Sequence, residues 1–123
     1  MPRTEVVFYA EPDGSCPVLE WLDGLQSKAR DKCIVRIERL AELGHELRRP
    51  DADILRDGIH ELRAAHRRRQ HRILYFFHQD RAVLAAGVTK ERAVPDADIE
   101  RARRRRAAYA AAPAAHTYRE TEG

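Results

Sequence analysis

The stretch that most limits how this chain can fold is Arg72-Ile73-Leu74-Tyr75-Phe76-Phe77, apolar at every position after the arginine. A strand turns successive side chains to opposite faces, so unbroken apolarity predicts a central strand covered on both sides. Two β-like segments flank it. The three lie at 59–64, 71–78 and 82–88, and their joins are short and polar, A-H-R-R-R-Q and then Q-D-R. Short strands with tight polar joins predict an antiparallel meander. On this frame the sequence mounts Arg63, Arg67, Arg68, Arg69, Arg72, Arg81 and Lys90, together with His60, His66, His71 and His78. A sheet that only had to fold would need far less cationic and imidazole chemistry.

Charge is unevenly divided along the 123 residues. Positions 1–58 hold 9 Lys/Arg against 12 Asp/Glu, whereas 59–110 hold 13 against 6. A basic half beside an acidic one points to a polyanion-binding face, with a solvated charged surface as the bland alternative. A length of 123 residues suits one domain, expected over 1–110 with a loosely ordered tail at 111–123. No apolar run approaches the roughly 20 residues of a membrane span, and the start M-P-R-T-E-V-V lacks a signal-peptide core. Cys16 and Cys33 match no metal-ligand spacing and read as buried free thiols. The expected location is the cytoplasm, with no membrane association.

Taken in order, T-E-V-V-F-Y-A at 4–10 predicts a first strand, ended by Asp13-Gly14. Ser15 is the candidate cap of a short helix over 17–25 that tolerates Pro17 in its first turn. Val18, Trp21, Leu22 and Leu25 form its apolar stripe, so Trp21 reads as core rather than as a base-stacking platform. A second helix is predicted over 27–43, with Ala29, Cys33, Ile37, Leu40 and Ala41 inward, Ile34 and Leu43 widening the stripe, and Gly44 as the stop. Its Lys28, Arg30, Lys32, Arg36 and Arg39 read as a solvated face. Residues 45–58, broken by Pro50 and closed by Asp57-Gly58, read as a loop with at most one helical turn. After the meander, Pro95 suits the first turn of a last helix, in which Ile99, Ala102 and Tyr109 face inward. Arg101 and Arg103 to Arg106 form its solvated or nucleic-acid-facing side. The element order is β-α-α-β-β-β-α, an α+β domain with a small, mainly antiparallel sheet packed by an αα-hairpin and a C-terminal helix.

The chain carries no glycine-rich phosphate loop, no GxSxG, no HExxH and no CxxC. What remains is a cationic site with histidines and no metal or other cofactor. Such a site suits RNA transesterification, in which a base takes the ribose 2′-proton and cations stabilise the phosphorane. Histidine fits the base and acid roles and arginine the phosphate clamp.

Four runs carry a family resemblance: G-I-H-E-L-R at 58–63, H-R-I-L-Y-F-F at 71–77, G-V-T-K-E-R at 87–92 and P-D-A-D-I-E-R-A at 95–102. Over about residues 4–109 the chain resembles the RelE/HigB toxin superfamily, nearest its phage-derived branch. The resemblance implies a RelE-like fold and a ribosome-dependent, metal-free mRNA endonuclease. The implied partners are the ribosome, mRNA and a small antitoxin, often a helix-turn-helix protein. By position, Arg63 and Arg72 match the two strand arginines and Lys90 the first cation of a basic pair. Glu91 departs from the second position, where Arg92 is the substitute, and Glu61 stands where some relatives have lysine. The candidate catalytic residues are Arg63, Arg72, Lys90 and His66. The candidate RNA-binding residues are Arg67, Arg68, Arg69, Arg81 and Arg92. The alternatives are that these arginines pair with acidic groups, that His60 and His71 are core-facing, and that the whole is a non-catalytic module binding an antitoxin or the ribosome.

Overall fold

In a computed structural model, residues 3–90 and 92–120 are described. Strand β1 (Glu5–Phe8) leads into helices α1 (Pro17–Asp23) and α2 (Ser27–Leu43). Four strands follow, β2 (Ala52–Arg56), β3 (Ile59–His66), β4 (Arg69–His78) and β5 (Arg81–Lys90), and then α3 (Asp96–Ala111). The five strands form one sheet in the order β1-β5-β4-β3-β2, antiparallel except for the parallel β1–β5 pair. The predicted α+β architecture is therefore present, with β4 at the centre.

Both faces of β4 are buried, as its unbroken apolar run requires. Ile73 and Tyr75 pack with Leu62 and Leu84 beneath Val18, Leu22, Cys33 and Leu40 of the αα-hairpin. Leu74 and Phe76 pack with Ile59, Val83 and Val88 beneath Ile99, Ala102 and Tyr109 of α3. Cys16 and Cys33 are free and buried, and burial pushes the Cys33 thiol up to about 11. No helix among the described residues is long and apolar enough to cross a membrane.

Three local expectations are corrected. The segment read as a loop contains β2, which pairs with β3 through the Asp57-Gly58 turn. Both turn residues have positive φ, 53° and 77°, the backbone that lets a two-residue turn follow the twist of its strands. A Cβ on Gly58 would also collide with the Arg106 guanidinium. At α1 the cap position is Cys16, without a side-chain bond. Ser15 instead donates its N–H and hydroxyl to the Asp13 carboxylate, at 2.9 and 2.7 Å. Ile34 and Leu43 are 40% and 36% exposed and lie outside the core. Residues 113–118 lie along the first strand: Tyr9 bridges Thr117, Ala10 N–H donates to the His116 carbonyl, and the His116 ring stacks on Tyr9.

Side chains protect the sheet where its pairing stops. Beyond β2, the outer carbonyls of β3 accept from α2: Arg36 Nε reaches the Arg63 oxygen at 3.0 Å and Lys32 Nζ the Ala65 oxygen at 3.2 Å. Beyond β1, Arg105 Nη1 donates to the Ala85 carbonyl of β5 at 2.6 Å. Unpaired edge carbonyls invite another strand, and these cations occupy them. Arg36 and Arg39 also hold Asp51, at 3.2 and 2.9 Å, so this part of α2 is latched to the sheet rather than simply solvated.

Candidate nucleic-acid interface

The cations gather at one end of the sheet, around the β3–β4 turn and the end of β5. That turn consists of Arg67 and Arg68, at φ 50° and 68°. Left-handed backbone costs a residue with a Cβ on the order of 1–2 kcal/mol, so two successive arginines there are an expensive way to turn a chain. Both are exposed, as are Arg69, Lys90 and Arg92.

The two-residue period of the strands divides the candidates between the faces. On the α3 face lie Arg63, Arg72 and Lys90, the last by its register with the buried Val88. Arg72 is 8% exposed and fully engaged on one side. Its Nη1 donates to both Glu61 oxygens at 2.8 Å, and its Nη2 donates to the Arg92 carbonyl at 3.2 Å. Glu61 is itself buried, and Arg63 Nε stands 3.6 Å from it. The Nε of Arg72 is buried with no hydrogen-bond partner. Arg72 is thus the floor of this face rather than a free clamp, while Arg63, 31% exposed, and Lys90 and Arg92 form its accessible rim. A depression of about 550 Å³ lies here, lined by Arg69, Lys90, Arg92 and Pro95. Glu91, which the resemblance sets at the second place of the basic pair, lies outside the described residues.

His66 is on the other face, with Arg69, His71 and Thr89. They line a second depression of about 610 Å³, closed by Trp21 and Leu25 at the corner of α1 and α2. Arg69 and Thr89 border both depressions, so the two meet around the end of the sheet. Nδ1 of His71 is 3.1 Å from the Thr89 hydroxyl, and its ring meets Trp21 edge-on at 6.2 Å. Burial lowers the His71 pKa, helped by His66 and Arg69. Desolvation lowers that of His66 too, followed by Lys32, Arg67 and Lys28. The Nε2 atom of His66 is buried and unpartnered. Two imidazoles held neutral near pH 7 suit proton acceptance.

The remaining candidates sit apart. Arg81 begins β5, about 30 Å of extended strand from Lys90, where it donates to Tyr109 Oη at 2.9 Å and pairs with Glu5. His78 meets the Tyr109 ring at that same end. His60 is a core-facing ring stacked on Tyr75 and edge-on to Phe77. In α3, Arg101 and Arg103 pair with Asp98 and Glu100, and Arg105 and Arg106 reach the sheet's carbonyls. Among the described residues no three His, Cys, Asp or Glu side chains are grouped to hold a metal.

Trp21 packs against the hairpin-face core, as its place in the apolar stripe predicts, and also lines this depression, together with Glu20 and Thr89, which sequence reading did not single out. Gly87 carried the usable signal, because a glycine inside a strand marks a close approach. A Cβ there would run into the Trp21 indole, so Gly87 is what lets the ring lie against β5. No curated protein matches the chain. Residues 20–107 match the family model described as Phage derived protein Gp49-like (DUF891), a span that holds α2, strands β2 to β5 and the first three turns of α3. With that match spanning the basic sheet end on both its faces, the chain belongs to the Gp49-like phage-derived family, within the RelE/HigB-like toxins of the ParE/RelE superfamily.

Proposed function

We propose that the protein is the toxin of a type II toxin–antitoxin pair that cuts mRNA on the ribosome by metal-free attack of a ribose 2′-hydroxyl. Its family is toxin-like, which makes a cognate antitoxin its partner. One observation carries the reading: a single end of the sheet presents Arg67, Arg68, Arg69, Lys90 and Arg92 to solvent around a buried, unpartnered His66 nitrogen. RNA crossing this end passes from the Lys90–Arg92 depression over Arg69 into the His66–His71 depression. A neutral His66 accepts the 2′-proton, the 2′-oxygen bonds to phosphorus, and the bond to the 5′-oxygen breaks. A 2′,3′-cyclic phosphate and a 5′-hydroxyl result, the leaving oxygen taking its proton from solvent at the open side of the depression. Arg67 and Arg69, which line the His66 depression, stabilise the extra charge of the phosphorane, while Arg63, Lys90 and Arg92, with Arg72 as the floor, hold the strand on the other face.

A second reading, a non-catalytic module that binds antitoxin or ribosome, draws on the capture of Arg72 by Glu61 and the split of the candidates between two faces. Primer extension on a reporter mRNA after induction separates the two. Cuts that persist in EDTA with translating ribosomes in a parallel control, and that fall on the order of a hundredfold in His66→Gln, support the nuclease. A parent that co-sediments with ribosomes and never cuts establishes the module instead.

A further inference from the structure

The depression behind the sheet holds more than a proton acceptor. Its volume of about 610 Å³ lies within the roughly 300–1,000 Å³ range of small-ligand sites. Trp21 and His71 meet at an interplanar angle of 62°, forming a corner with one ring to stack on and another to abut. Ala29 and Leu25 supply apolar wall, and Arg67 and Arg69 stand at the mouth. Gly87 lets the Trp21 ring lie against β5, so the wall is built into the strand's sequence. Glu20, also in the lining, contributes a carboxylate that no cation among the described ion pairs neutralises.

We infer that this depression is a guanine pocket, in which Trp21 and His71 hold the base, Glu20 reads its edge, and Arg67 and Arg69 take the adjoining phosphate. A carboxylate is acceptor-only, with two parallel oxygens. Guanine offers it two neighbouring donors, N1–H and the N2 amino group. Adenine offers one donor beside the N1 lone pair, which faces the second oxygen and is repelled. Pyrimidines present a smaller ring to the corner. Base stacking on an aromatic ring and phosphate contact with arginine are sequence-tolerant, so discrimination falls to Glu20. The buried Nε2 of His66 is left as an acceptor for a sugar hydroxyl. This deepens the reading above, because a guanine held here fixes the nucleotide whose ribose faces His66, but the pocket itself does not depend on cleavage.

Trp21 is the chain's one tryptophan, so its fluorescence reports this site alone. With the full-length protein, GMP is expected to quench it saturably. AMP, CMP, UMP and inorganic phosphate are expected to need at least about tenfold higher concentration. Glu20→Gln should weaken GMP on the order of tenfold and erase the preference over AMP. It should leave the melting temperature unchanged, since Glu20 is exposed. Arg69→Ala should weaken GMP without altering the order of the bases. A short oligoribonucleotide with a single G, set against the same strand with A, shows whether the base is taken free or within RNA. No saturable quenching by any nucleotide overturns the pocket, as does equal quenching by phosphate alone, and AMP binding as tightly as GMP overturns the guanine assignment. Primer extension on the same preparations keeps the two readings apart: guanine binding without cuts retires the nuclease only, and cuts in a protein that binds no nucleotide retire the pocket only.

Discussion

Arg72 enters the sheet beside a buried carboxylate, and that changes what its removal will do. An arginine matched by position to a phosphate-binding residue invites the expectation that alanine abolishes cutting and leaves folding intact. Here the guanidinium neutralises Glu61 at 2.8 Å with both side chains buried. Truncating one partner of such a pair leaves the other charge uncompensated, at a cost of about 3–5 kcal/mol. Arg72→Ala is therefore expected to lower the urea midpoint sharply. Glu61→Leu combined with Arg72→Met should recover most of the loss, because two apolar side chains need no counter-charge; if the double variant is no more stable than Arg72→Ala, the ion pair is not the cause. The histidines add a pH dependence. Burial lowers the pKa of His60, helped by His45, Arg106 and Arg48, and lowers that of His71. The unfolded chain then takes up protons that the folded chain refuses. Their stabilising contribution is complete above the unfolded value near 6.5 and is lost as pH falls through the lower folded values. Melting temperature should fall between about pH 7 and about pH 5, and His60→Phe should flatten that fall.

At the scale of elements, the β3–β4 turn sets stability against charge. Its two central arginines occupy backbone that Asn-Gly would occupy with less strain. Replacing Arg67-Arg68 by Asn-Gly should stabilise the fold by about 1–3 kcal/mol, read by chemical denaturation. The same change removes two exposed cations from the interface and should weaken binding to single-stranded RNA. A variant that gains no stability would mean that neighbouring contacts already relieve the turn. One that gains stability and binds RNA undiminished would mean that the arginines face away from the nucleic acid.

Across the whole molecule, charge is sorted rather than abundant. Some acidic groups of the N-terminal half are tied to cations, such as Asp51 to Arg36 and Arg39, and in α3 Arg101, Arg103 and Arg105 are tied to Asp98, Glu100, Asp57 and Glu11. Among the exposed cations outside these ties, Arg67, Arg68, Arg69, Lys90 and Arg92 lie together at the turn end of the sheet, which concentrates the field there. RNA association should therefore be salt-dependent, and Arg69→Ala or Lys90→Ala should each reduce the slope of log K against log salt by about 0.7, the value for one contact to a single strand. Arg81→Ala, at the far end of β5, should leave the slope unchanged. Equal effects at all three positions would mean that RNA is held by net charge and not by this end.

Much of this architecture could be read from the residues alone. The apolar run at 73–77 dictates a strand buried on both faces, because each face of a pleated strand must be satisfied separately. The 3.6-residue stripes of α2 and α3 dictate which sides of those helices are buried. Strand β2 was less legible, since Ile54 is 62% exposed and the segment has no clean alternation; the Asp57-Gly58 turn was its one clear signal. The site divided in the same way. That cations and imidazoles cluster around 60–90 is a property of composition, available before any folding. Which of them are free is not, because Arg63, Arg72 and Arg81 look alike in a sequence. Only the folded chain buries Arg72 against Glu61, leaves Arg63 at the rim and carries Arg81 to the opposite end. It also brings Trp21 and Glu20 from α1 to face Thr89 of β5, a meeting of residues about 70 positions apart. Local preferences act within a turn or two of chain, whereas neutralisation of charge and the walls of a pocket depend on distances through space.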